Sequence, residues 1–157
     1  MTPPASSRFV PSDPGFEARC REGFERQGAM SLIGARISRI APGECVLEMP
    51  HAPGITQQHG FVQAGILSTA LDTACGFACA SLMPADSGIL TIEFKVNLLA
   101  PARGALYRME GRVRKSGRTI FVAEGDAYAI DAEGRERLVA TMTATNMTIL
   151  GRDDVKG

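Results

Sequence analysis

Between Glu48 and Asp86 the chain carries one formally charged side chain, Asp72, set in a run dominated by Ala, Gly, Ser, Thr and Cys. A carboxylate buried without a partner is costly, or its pKa rises until it holds a proton. A group in that condition suits general-base or nucleophilic work in a cleft. Spacing alone leaves two readings open. Asp72 is either such an acid or one member of a narrow water-facing stripe with Ser68 and Thr69, which lie four and three residues before it.

The residues ahead of this run offer complementary groups. Gln57 in the loop QQHG could hold a carbonyl or a water. Gln63-Ala64-Gly65 opens a helix, where backbone N–H groups lack intrahelical acceptors and can donate to a developing oxyanion. Gly65 lets a ligand approach closely, and Phe61, Phe77, Leu82 and Met83 are apolar candidates for lining a ligand pocket. No G-x-S-x-G elbow is present, which removes the usual serine-hydrolase arrangement. Arg114, Lys115 and Arg118 flank a Ser116-Gly117 turn and could hold phosphates, or could be ordinary charges on a solvated hairpin tip; Arg103 is a weaker candidate.

The elements that must position these groups follow from the patterning. The spacing predicts a buried helix over 62–82, roughly 30 Å long at about 1.5 Å per residue. It is apolar on nearly every face, so it must be enclosed, and its small residues call for close approach by a surrounding backbone. A short helix is expected over 14–27 and stopped by Gly28; a hairpin over 33–50 turns at Pro42-Gly43. Strands are expected at 88–100, 107–115, 119–130 and 135–149. In the first of these, Leu90, Ile92, Phe94, Val96 and Leu98 share one side and Thr91, Glu93, Lys95 and Asn97 the other. Short turns imply antiparallel pairing. The fold class is therefore α+β, a long central helix wrapped by a curved antiparallel sheet. The expected organisation is a flexible lead-in at 1–13, one domain at 14–150 and a flexible tail at 151–157.

Ala64 and Asp72 are eight residues apart, roughly 12 Å along one helix, too far to meet at one carbonyl. Two antiparallel copies of the helix would bring them together, so a symmetric dimer with two shared sites is the economical arrangement.

The 157 residues suit one domain, and 45% apolar content allows a packed core. Seventeen basic residues balance seventeen acidic ones, which argues against a general nucleic-acid partner. No run reaches the roughly 20 apolar residues of a membrane span, and no secretory signal is read at the start, so the cytoplasm is the expected compartment. Cys20, Cys45, Cys75 and Cys79 form no CxxC pair; they read as small buried thiols rather than metal ligands.

The segment QQHGFVQAGILSTALDTACGFA resembles the signature of hotdog-fold thioesterases of the phenylacetate-degradation type. That motif has a loop Asn or Gln, a His-Gly-Gly opening the helix, and an acid eight residues after the first Gly. The loop amide falls on Gln57, the His on Gln63, the first Gly on Ala64, the second on Gly65 and the acid on Asp72. GILTIEFKVNLLAPARG and VRKSGRTIFVAEGDAYA are similar to the strands that follow. The resemblance implies an acyl-CoA hydrolase with no cofactor beyond the CoA of its substrate, assembled as a dimer or dimer of dimers. It implies Asp72 as nucleophile or general base, the Ala64 N–H polarising the thioester carbonyl, Gln57 orienting water or substrate, and Thr91 helping to place the water. Gln63 and Ala64 depart from the motif's His and Gly. The loss of the imidazole keeps a non-catalytic acyl-CoA binding module open beside the enzyme. An acyl-thioester hydratase or dehydratase is a further alternative, for which the usual catalytic His is missing.

Overall fold

The computed structural model describes residues 8–156. Positions 1–7 of the expected lead-in and 157 of the expected tail lie outside the described residues. The chain begins with α1 (Phe16–Glu25), whose Cys20 and Phe24 turn inward. Arg19 of this helix pairs with Asp13 at 2.9 Å and donates to the Ala80 and Met83 carbonyls at 3.1 and 3.0 Å. Its charge thereby rests at the C-terminal end of the central helix, where free carbonyls favour a cation.

Gly28 does not end the helical region. It opens a second short helix, α2 (Gly28–Ile33), and the strand expected from residue 33 starts at Arg36. Met30 and Ile33, three apart, bury one face of this turn and a half, and Gly34 ends it at φ +69°, a left-handed cap suited to glycine. The hairpin β1 (Arg36–Ala41) and β2 (Glu44–Pro50) follows, then the central helix α3 (Ala64–Ala80), and finally β3 (Ser87–Leu98), β4 (Leu106–Ser116), β5 (Ile120–Ile130) and β6 (Glu136–Leu150).

The six strands form one sheet in the order β1-β2-β4-β5-β6-β3, with every neighbouring pair antiparallel. It wraps α3, as the expected architecture requires. Leu67, Ala70, Leu71, Ala74, Cys75, Ala78 and Cys79 are buried against it. The closeness has a specific cause. Gly111 of β4 and Gly125 of β5 stand opposite each other in register. A methyl group at Gly111 would lie 2.3 Å from the Ala74 carbonyl oxygen, and one at Gly125 would lie 2.8 Å from Cys75 Sγ. The small residues of the helix therefore meet bare backbone in the sheet. All four cysteines are buried free thiols; burial pushes Cys20 up to about 11 and Cys45 and Cys79 to about 12, so they remain protonated. The opposite sheet face carries ion pairs, among them Arg108 with Glu110 and Glu136, and Arg112 with Asp126.

β3 lies at the sheet edge and departs from simple alternation. Its register against β6 shifts between Thr91 and Glu93, so Ile92 is an extra residue. Thr91 pairs with Asn146, Phe94 with Ala144 and Val96 with Met142. Asn146, Ala144 and Met142 are buried on the helix side, so Thr91 shares that side with Phe94 and Val96. The uninterrupted alternation expected for this strand put Thr91 opposite them; the bulge reverses it.

Candidate active site

Asp72 sits one turn beyond Ser68 and Thr69 on the face of α3 that the sheet leaves partly open. Both hydroxyls donate back to their own helix, Ser68 Oγ to the Ala64 carbonyl and Thr69 Oγ1 to the Gly65 carbonyl, each at 2.8 Å. They give Asp72 nothing. Its partner is Thr91, whose Oγ1 donates to Oδ1 at 3.0 Å. Burial raises the Asp72 pKa above the ordinary carboxylate value, and the Thr91 hydrogen bond offsets part of that rise. The polar stripe is thus real, and Asp72 is its half-buried member. A cleft of about 510 Å³ opens beside it, lined by Gly65, Ser68, Thr69, Met30 of α2 and Phe94 of β3.

The helix start faces a different cleft, of about 620 Å³, lined by Gln57, Phe61, Gln63, Ala64, Leu98 and Leu99. The loop before it is closed by Gln57 N–H donating to the Phe61 carbonyl at 2.8 Å and by Gly60 at φ +82°. Gln57 Oε1 accepts from the His59 N–H, so the amide nitrogen is the end that can reach a ligand. Gln63 is the N-cap of α3: its Oε1 accepts from Ile66 N–H at 3.1 Å. Leu67 N–H donates to the Gln63 carbonyl. That leaves the Ala64 and Gly65 N–H groups without an acceptor among the described residues, beside the cleft and at the positive end of the helix. A methyl at Gly65 would lie 2.8 Å from Gln63 Oε1, so glycine there leaves room for the capping side chain.

Two groupings of the expected residues therefore form within one protomer: Asp72 with Thr91, and Gln57 with Phe61, Gln63 and Ala64. Arg114, Lys115 and Arg118 join neither. Arg114 pairs with Glu124 at 3.3 Å, and Arg118 lines a groove with Leu82 and Pro84 beyond the other end of α3. Of the apolar candidates, Phe61 lines the helix-start cleft. Phe77 instead packs edge-on against Phe24 in the core, where Leu82 and Met83 are also buried. Arg103 stacks over Phe61 at 4.8 Å, which places a cation beside that cleft. Two contributors were not singled out from the sequence: Met30, because α2 is too short to show a period, and Asn146, one polar residue in an alternating strand.

A long helix in a six-stranded antiparallel wrap, with an acid on the helix and free N–H groups at its start, defines a hotdog-fold protein. The thioesterase superfamily model matches residues 59–134. A thioesterase family protein of Silicibacter pomeroyi is similar at 49% identity, with a TM-score of 0.86 over 87% of this chain and 100% of that one. A Halobacterium salinarum protein provisionally named an esterase is 34% identical over 102 residues, 62% of this chain and 67% of its own. The PaaI protein of the Escherichia coli phenylacetic acid degradation operon shares the fold, with a TM-score of 0.75 at 19% identity over 87% of this chain and 94% of that one. The chain belongs to the thioesterase superfamily, and thioester hydrolysis is its reaction class.

Proposed function

We propose that the protein hydrolyses acyl-CoA thioesters at a site shared by two subunits, with Asp72 as the general base or nucleophile. The observation that carries this is the half-buried Asp72 carboxylate, held by Thr91 at the edge of a cleft with no cation among the described residues offsetting its charge. As a base, Asp72 takes a proton from water while the water oxygen attacks the thioester carbon. As a nucleophile, its oxygen attacks that carbon and forms an anhydride that water then opens. In both routes the C–S bond breaks, CoA leaves as a thiolate that acquires a proton, and the acyl group leaves as the free acid. The Ala64 N–H receives the oxyanion, and the Gln57 amide orients the carbonyl or the water. No cofactor takes part beyond the CoA of the substrate.

Asp72 and Ala64 open into separate clefts, so a complete site needs Asp72 of one subunit and Ala64 of the partner subunit. β3 supports such an assembly. It is an edge strand, and Leu90, Ile92, Leu98 and Leu99 on it or just past it are each about half exposed. Apolar edges of this kind are covered by association. A homodimer, or a dimer of dimers, satisfies both needs. Lys115 and Arg118, which have no ion-pair partner among the described residues, and Arg103 beside Phe61 are the candidates for the CoA phosphates.

The test is thiol release from aromatic, short-chain and long-chain acyl-CoAs by wild type, Asp72→Ala and Asp72→Asn. Loss of about 10²- to 10⁴-fold in both variants is expected. Unchanged rates would remove Asp72 from the mechanism. Acyl-CoA binding without thiol release at any chain length would instead establish a binding module, the reading that Gln63 as a cap rather than an imidazole favours.

A further inference from the structure

Thr91 Oγ1 lies 3.0 Å from Asp72 Oδ1 and 3.1 Å from Asn146 Oδ1. A hydroxyl has one proton and cannot donate to both. Asn146 is fully buried, and its Nδ2 meets no acceptor. A buried amide NH2 left unpaired is costly. One half-turn of the amide ends the competition for the Thr91 proton and pairs the NH2, leaving the carbonyl oxygen in the position without a partner. It exchanges the two ends of the group, so that Nδ2 donates to Thr91 Oγ1 and the Thr91 proton is committed to Asp72. Two hydrogen bonds then form where the other orientation allows one.

We propose that Asn146 is a positioning residue for the catalytic carboxylate, acting through Thr91 as a directed relay from amide N–H to hydroxyl to carboxylate. This rests on the reading of Asp72 as the general base or nucleophile. The setting is built for it. Asn146 and Thr91 are register partners on β6 and β3, and the bulge at Ile92 puts both on the helix side. A methyl at Gly76, one turn beyond Asp72, would lie 3.9 Å from Asn146 Oδ1, so the amide sits directly against the helix. Around Asp72 the other facing groups are uncharged: Ser68, Thr69 and Thr73 on its own helix, Gln27, Ala29 and Met30 near α2, and Phe94 on β3. Cys75, behind it in the core, stays a thiol because burial raises its pKa. Asn146 itself is sealed from solvent and cannot touch the substrate. Its influence must pass through Thr91.

The test is a double-mutant cycle on the full-length enzyme, with Asn146→Leu, Asn146→Asp, Thr91→Ala and the combined variants assayed for kcat, KM and melting temperature. Asn146→Asp keeps the shape, and in buffers alkaline enough to ionise its buried carboxyl it presents only acceptors, which compete for the Thr91 proton. The relay predicts that both single changes at 146 lower kcat by roughly three- to tenfold, the size of one net hydrogen bond, with KM unchanged. It predicts no further loss when they are added to Thr91→Ala. A folded Asn146→Asp that keeps wild-type kcat in those alkaline buffers overturns it. So does an equal loss with and without Thr91, which would mark a packing role. If Asn146→Leu does not fold, the near-isosteric Asn146→Asp still decides the matter. Asp72→Asn, assayed in parallel, separates the two levels: if it retains full activity, the reading of Asp72 fails, whereas its inactivity beside a silent Asn146 fails the relay alone.

Discussion

Thr91 reaches Asp72 across 3.0 Å because β3 carries one residue more than its partner strand. Without the extra residue at Ile92, either Thr91 or the Phe94 and Val96 beyond it would point away from the helix. The strand thus serves two purposes: below the bulge it delivers a hydroxyl to the acid, and above it an apolar wall to the same cleft.

The Thr91 hydrogen bond stabilises the charged form of Asp72 and works against burial. Removing it in Thr91→Ala raises the carboxyl pKa further. The acid limb of the kcat/KM profile should move to higher pH, and activity near neutrality should fall roughly tenfold. Thr91→Ser, which keeps the hydroxyl, should restore most of both. An acid limb that stays in place in Thr91→Ala counts against this coupling.

Asp72 also bears on stability. Its folded pKa is raised above the ordinary 3.8, so the native state holds the proton more tightly than the unfolded chain. That contribution is fully present below the unfolded pKa and is lost as pH rises through the folded one. Asp72→Asn, uncharged throughout, should therefore melt above wild type at pH 7, and the gap should close as the buffer is taken below about pH 4. Calorimetry across that range checks both signs.

Gln63 caps α3 through Ile66 N–H. Gln63→Ala should cost about 0.5–2 kcal/mol in urea unfolding, and Gln63→Ser, a better cap, should recover it. If capping is the whole of its contribution, kcat/KM in Gln63→Ser stays within a few-fold of wild type. A large loss in that variant would give the side chain a part in the chemistry.

Gly111→Ala puts a methyl 2.3 Å from a helix carbonyl, and backbone cannot step aside as a side chain can. A loss of about 2 kcal/mol or more is expected. Alanine at Gly134, where nothing lies within 4 Å, meets no such contact and provides the control for added bulk, apart from the strain of its own φ of +80°.

Ile92 is 54% exposed on the sheet edge. Ile92→Lys should shift sedimentation toward the monomer and remove activity, with far-UV circular dichroism unchanged. An active monomer would show that one protomer completes the site alone.

Much of this was legible in the chain. α3 announced itself because a helix apolar on every side must be enclosed, and Asp72 stood out as the charge that violated that rule. The antiparallel strands followed from alternation and short turns. What was hidden had physical reasons. α2 is too short to show a period, and Gly28 looked like a stop because a glycine before a helix and one after it read alike. The face of Thr91 was misplaced because a two-residue period cannot register an inserted residue. Gln63 gave little sign of capping, since the side chains that favour that position are shorter. Asn146 was one polar residue in an alternating strand, and its importance depends on a neighbour 55 positions away.

The glycine pair beneath α3 has a consequence for anyone seeking to alter this protein. At Gly111 the helix rests on the sheet main chain against main chain, with no rotamer to adjust its height, while at Gly125 the side chains of Leu71 and Cys75 fill the space a Cβ would take. Directed evolution toward a bulkier or smaller acyl group would then find little to tune where the helix crosses Gly111. Productive variation should gather at the rim, in Phe94, whose half-exposed side chain borders the cleft.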